Sequence, residues 1–128
     1  MVQGLGSRVG GALTARARSF RFAFEGLGYV LATQANARIH LALAVAVVIA
    51  GLTLGVEGDD WRWLGAAIAA VWVAEILNTA IEHLCDVVSP ERREAVRRAK
   101  DCAAGAVLVA ALFAAAIGAS VFGPLLPG

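Results

Sequence analysis

Charge is what this chain has least of. Asp, Glu, Lys and Arg make up 16 % of its 128 residues, against about 25 % in ordinary globular chains. The hydrophobic share, 59 %, exceeds the usual ~45–50 %. That leaves too little polar surface to coat a water-soluble domain of this size. Disorder is excluded as well, since it needs few apolar residues and high charge. A net charge of +1 makes no basic field, so no nucleic-acid partner is expected. Two cysteines, Cys85 and Cys102, match no zinc spacing and are too few to staple a small fold. What remains is a small, all-α integral membrane protein.

Three segments can span. Leu41 to Val56 is uncharged but slightly short of the roughly 17–25 residues a spanning helix needs; His40 and Ile39 extend it to a first span over residues 39–56. Cys102 to Gly128 is also uncharged and gives a span over residues 102–123, ended by Gly123, Pro124 and Pro127. Between them, residues 61–85 are apolar apart from a few polar side chains, Glu75, Asn78 and Glu82 among them. The bases fall into two groups: Arg8, Arg16, Arg18, Arg21 and Arg38 before the first span, and Arg92, Arg93, Arg97, Arg98 and Lys100 between the second and third. The remaining loop holds Glu57, Asp59 and Asp60 beside the single base Arg62. By the positive-inside rule the N-terminus lies in the cytoplasm and the C-terminus outside. Cys85 and Cys102 then lie near the reducing face, so free thiols are expected.

Residues 1–18 are rich in Gly, Ala and Arg, with no apolar core of a signal peptide, and read as a basic, flexible end. From Ser19 a pattern sets in. Phe20, Phe24, Leu27 and Leu31 recur at helical spacing with Arg18, Arg21 and Glu25 opposite. This predicts an amphipathic helix over residues 19–34, lying in the membrane interface or packed against the bundle. Residues 19–128 then form one domain.

The second span carries the chemistry. At 100° per residue, Glu75, Asn78, Thr79, Glu82 and Asp86 fall at about 0°, −60°, +40°, −20° and +20°, a single stripe. Such a stripe cannot face lipid, and a mid-membrane acid costs about 2.5–3.5 kcal/mol on insertion scales. At 1.5 Å per residue, Glu75 lies roughly 21 Å from Trp61, about 9 Å short of the inner edge of a ~30 Å core. Glu82 lies about 10 Å further along, at the water boundary. Glu75 is thus placed to act as a general base on a lipid hydroxyl. Asn78 can hold that hydroxyl or a carboxylate. Glu82 suits Mg²⁺, which takes one or two carboxylates and leaves other positions to water and phosphate. The bland alternative is that these groups hydrogen-bond helices together.

Ser89-Pro90-Glu91 predicts a helix start, with Ser89 as N-cap and Pro90 at the first helical position. Arg92, Arg93, Arg97, Arg98, Lys100 and Asp101 follow on the approach to the third span. Cations there can neutralise a polyphosphate beside a Glu82-bound metal. They can equally serve topology and pair along a helix, as Glu94 with Arg98 and Arg97 with Asp101. No GxxxxGK or protein-kinase glycine loop is present, which excludes a conventional nucleotide fold and leaves phosphoryl transfer open.

The run EILNTAIEHLCDVVSPE, Glu75 to Glu91, with RRAKD at Arg97 to Asp101, closely resembles the prokaryotic diacylglycerol kinase family, which includes the undecaprenol kinases. The resemblance extends from about Phe20 to Leu112. It implies a three-span inner-membrane enzyme of bacteria, working as a homotrimer with active sites shared between subunits. It also implies transfer of the γ-phosphate of ATP, with Mg²⁺, to a lipid alcohol. By resemblance Glu75 is the catalytic base and Asn78 its supporting residue. Glu82 holds metal and nucleotide, while Glu91, Arg92, Arg93, Lys100 and Asp101 contact ATP. Asn36, Arg38 and His40 help form the lipid pocket.

Two positions depart from the family. A second metal-binding glutamate is replaced by Gln34, which keeps an oxygen for metal and nucleotide but loses the charge. A nucleotide-contacting tyrosine is replaced by Phe22. FEGLGYVL, RIH at Arg38 to His40, the SPE turn and DCAAGAVL look more like the Gram-positive branch, which favours undecaprenol over diacylglycerol as acceptor. Gln34 also motivates a reading of another class, a catalytically impaired membrane scaffold. In the third span Ala103, Ala104, Gly105 and Ala106, then Ala110, Ala111, Ala114 and Ala115, give a small-residue surface suited to close helix approach and oligomerisation.

Overall fold

The structure, a computed structural model, describes residues 3–91 and 93–126. Four helices follow in order: α1 (Gln3–Thr33), α2 (Ala35–Leu54), α3 (Asp59–Val88) and α4 (Glu94–Phe122). A 3-10 turn at Gly123–Leu125, with its proline in the first turn, ends the described chain. α1 belongs to one compact unit, and the residues from Gln34 onward form a second.

α1 starts at Gln3 rather than near Ser19. Its early glycines cost about 1 kcal/mol each, yet no proline interrupts residues 3–33, and Ala and Arg favour the helix. Phe20, Phe24 and Leu27 are exposed. Arg21 pairs with Glu25 one turn on at 3.3 Å, and its guanidinium stands 5.2 Å above the Phe22 ring.

Three helices, Ala35–Leu54, Asp59–Val88 and Glu94–Leu125, are long and apolar enough to cross a membrane. Within the second unit α4 packs chiefly along α3, while α2 meets α3 over a shorter stretch. Val56, Leu64 and Val121 form a buried cluster, with Val47, Trp61, Ile117 and Phe122 packed against it. Most other large apolar side chains of these helices are exposed on the single chain, as expected where lipid or another copy is the neighbour.

The α2–α3 connection is a tight turn. Gly55 (φ 75°) takes the left-handed conformation. Val56 N–H then bonds back to the Gly51 carbonyl at 2.9 Å, a Schellman closure. Gly58 (φ 56°, ψ −123°) opens α3 from a region open only to glycine. Asp59 and Asp60 in the first turn complement the helix dipole. Trp61 Nε1 donates to the Val56 carbonyl at 2.7 Å, which lays the indole over Gly51. A Cβ at Gly51 would come within 2.6 Å of that ring.

The α3–α4 connection corrects the expected helix start. Ser89 caps the C-terminus of α3, its N–H bonding the Cys85 carbonyl at 3.0 Å, and α4 begins only at Glu94, with Arg93 as its N-cap. α3 continues to Val88, so the Ser89 backbone is already committed as a helix terminus, and Pro90 falls in the connecting loop.

Candidate active site

All the described candidate residues lie in the second unit, from Gln34 onward. The buried face of α3 runs through Leu64, Ala67, Val71, Glu75 and Thr79, steps of three or four residues that make one stripe. The apolar packing face thus continues into the polar one. Glu75 and Thr79 are each 2 % exposed. Thr79 Oγ1 donates to the Glu75 carbonyl at 3.0 Å, so its hydroxyl serves the helix backbone. Asn78 Nδ2 donates to Glu82 Oε1 at 3.2 Å. The carboxylate held by Asn78 is therefore that of Glu82.

Two buried acceptors on this face, Glu75 Oε2 and Asn78 Oδ1, have no hydrogen-bond partner. Buried polar atoms are nearly always satisfied, and those that are not call for a role. Each of these accepts a hydrogen bond, so what the site lacks is a donor.

One turn beyond Glu82 the face opens into a cleft of about 560 Å³ between the end of α3 and the start of α4. Glu91, Arg93 and Lys100, three of the residues expected to contact nucleotide, line it together with Asp86, Ser89 and Arg97. Asp101 stands outside the lining but holds Arg97 Nη1 at 2.7 Å. Arg97 also bonds Glu94, at 2.7 and 3.0 Å, and Arg98 bonds Glu94 at 2.9 Å. Both expected helix pairs are therefore formed. Arg93 makes a two-pronged contact with Glu91 Oε2 at 2.9 and 3.2 Å. Arg92 falls outside the described residues.

Lys100 Nζ bonds Asp86 Oδ1 at 2.5 Å, joining α4 to α3. Asp86 was legible as a member of the stripe, but its pairing with Lys100 required the two helices to be placed side by side.

Gln34 is half-buried just ahead of α2 and makes no side-chain cap. Asn36 and Arg38 are exposed on the first turns of α2. His40 lines a second, apolar groove of about 320 Å³ walled by α2, α3 and α4, so it stands apart from the charged cleft. Cys85 and Cys102 are free.

Among the described residues no group of three or more His, Cys, Asp or Glu side chains could hold a metal ion unaided. Mg²⁺ bound through one or two carboxylates and completed by phosphate oxygens and water needs no such cage. Glu82, a carboxylate held by Asn78 near the cleft end of α3, has the donor chemistry for that mode.

Fold and site together define an all-helical membrane protein with its polar chemistry gathered toward one end of the spanning helices. Residues 21–122 match the family model of prokaryotic diacylglycerol kinase, and the chain belongs to that family. It is 42 % identical over 107 residues to a diacylglycerol kinase of Synechocystis, covering 83 % of this chain and 61 % of that protein. It is 36 % identical over 109 residues to the undecaprenol kinase of Bacillus subtilis, covering 85 % and 89 %. To the diacylglycerol kinase of Escherichia coli K12 it is 39 % identical over 74 residues, covering 58 % and 60 %. The matches thus span less than two thirds of the Synechocystis and E. coli proteins.

Proposed function

We propose that this protein is an ATP-dependent lipid kinase whose acceptor is undecaprenol. The observation that carries the reading is Glu75: a buried carboxylate with an unpartnered oxygen, on the helix face that leads to a charged cleft holding Arg93, Arg97 and Lys100. A lipid hydroxyl supplies the donor that Glu75 Oε2 lacks. Glu75 takes the hydroxyl proton as the oxygen bonds to the γ-phosphorus. The bond from that phosphorus to the β–γ bridging oxygen breaks, and ADP leaves with the electron pair. Asn78 orients Glu82, and Glu82, with Gln34 as a neutral oxygen donor, would hold the metal that accompanies ATP. Mg²⁺, when bound, offsets charge on the phosphates. Glu91, Arg92, Arg93, Lys100 and Asp101 form the nucleotide side of the site.

The lipid enters beside Asn36, Arg38 and His40 in this reading, its hydrocarbon against the groove that His40 lines. The protein sits in the bacterial inner membrane with its N-terminus in the cytoplasm and α1 in the interface, which the exposed aromatic and basic side chains from Arg18 to Leu27 support. It assembles as a homotrimer with shared active sites, supported by the small-residue surface of α4 and the many exposed apolar side chains. Undecaprenol as acceptor is supported by the match along 89 % of the B. subtilis undecaprenol kinase. Diacylglycerol is the second reading, favoured by the names of the Synechocystis and E. coli relatives.

The test offers purified protein both lipids with labelled ATP and Mg²⁺ and separates the products. Labelled undecaprenyl phosphate in excess over phosphatidic acid is expected. The reverse ratio assigns diacylglycerol, and label in neither lipid refutes the kinase reading.

A further inference from the structure

Among the described residues, the charges that line the cleft balance one another. Its described lining carries the cations Arg93, Arg97 and Lys100 and the acids Asp86, Glu91 and Glu94. Each cation is already held: Arg93 by Glu91, Arg97 by Glu94 and Asp101, and Lys100 by Asp86. The arginine pairs are local, between residues no more than four apart in sequence. The Lys100 pair joins residues 14 apart and bridges two helices.

Asp86 occupies an unfavourable place for an acid. It sits in the last turn of α3, which has no basic residue, where the helix dipole disfavours negative charge. Its side chain is 65 % exposed, against 34 % for Lys100. Glu82, one turn earlier on the same face, also acts electrostatically on Lys100. A triphosphate reaching Lys100 therefore displaces one carboxylate and lies beside two. A bare triphosphate meets like charge there, which raises the cost of the wrong ligand. A triphosphate carrying a divalent cation presents those carboxylates with a positive partner instead.

We propose that Asp86 is a specificity-determining residue: by occupying Lys100 at the mouth of the cleft, it admits metal-complexed nucleotide and turns away the metal-free form. This rests on the nucleotide-binding reading above and adds to it a residue and a selectivity.

Calorimetric binding of ATP to the full chain in detergent micelles, once with Mg²⁺ and once with a chelator, tests the proposal in wild type, Asp86→Asn and Asp86→Glu. Wild type should prefer the metal-loaded form. In Asp86→Asn the preference should collapse because metal-free ATP binds about tenfold more tightly, the scale of one relieved charge contact in a water-like dielectric. Asp86→Glu should keep the preference, and melting temperatures recorded alongside identify any variant that fails to fold. Equal weakening of both forms in Asp86→Asn makes Asp86 a mere anchor for Lys100 and overturns the proposal. So does an unchanged ratio, or a wild type that binds both forms alike. A folded wild type that binds neither form refutes the nucleotide reading itself.

Discussion

Glu75 sits where an acid has to be justified. Its carboxyl is enclosed on an apolar helix, one oxygen lacks any donor, and the neighbouring threonine hydroxyl is spent on the backbone. A side chain kept for packing alone would do better as glutamine, which has the same shape and no charge to bury. Glu75→Gln should therefore leave a folded protein whose melting temperature is unchanged or raised. Its turnover number should fall by about 10²–10⁴, the range general-base catalysis supplies. Near-wild-type lipid phosphorylation by this variant would falsify the assignment of the base. In the proposed reaction Asn78 acts at one remove, since its amide holds Glu82. Asn78→Leu should raise KM for the metal–nucleotide complex more than it changes the pH dependence of turnover, and a shifted pH profile with an unaltered KM would contradict that role.

Helices and turns show what could be read from the chain alone. Three spanning helices were legible because long uncharged segments alternate with basic and acidic loops, and the polar stripe because 100° per residue fixes one face. The start of α4 was not legible. Ser89-Pro90-Glu91 has the chemistry of a helix entry, yet α3 runs on to Val88 and uses Ser89 as its end. Capping propensity ranks residues but does not say which of two adjoining helices a serine closes. The Lys100–Asp86 pair was hidden for a related reason, since it depends on how α4 lies along α3. Within the described residues, the contact of Trp61 with Gly51 was equally invisible. It yields a sharp test: Gly51→Ala gains about 1 kcal/mol of helix propensity but drives a methyl into an indole pinned by its bond to Val56. Overpacking costs typically about 1–3 kcal/mol, so we expect a net loss of stability, measured by thermal unfolding in detergent. Substituting Gly26, which has open space around its Cα, should cause no such loss.

Across the whole molecule, a single chain buries few of its large apolar side chains, and the reaction proposed here draws on residues from α2, α3 and α4. If sites are shared between subunits, two inactive variants complement each other. Coexpressed Glu75→Gln and Lys100→Met chains should recover a fraction of wild-type lipid phosphorylation. Mixtures with no activity, from chains shown to co-purify, would confine Glu75 and Lys100 to one subunit. The relatives differ in the lipid they are named for, while the buried acid, the amide beside it and the charged cleft serve the hydroxyl and the phosphates in the proposed reaction. In the proposed reaction the choice of acceptor would rest on the apolar groove that His40 lines and the phosphoryl chemistry on the polar stripe, two separate parts of the chain.

The turn from Gly55 to Gly58 bears on how the chain reaches its membrane. Two glycines at positive φ, Gly58 in a conformation closed to other residues, join α2 to α3 with almost no intervening chain. Neither helix can be threaded across without drawing its neighbour after it, so the pair should integrate as one hairpin in a single insertion event. Lengthening that bend with a flexible peptide would uncouple the two passages, and biogenesis would suffer before chemistry did.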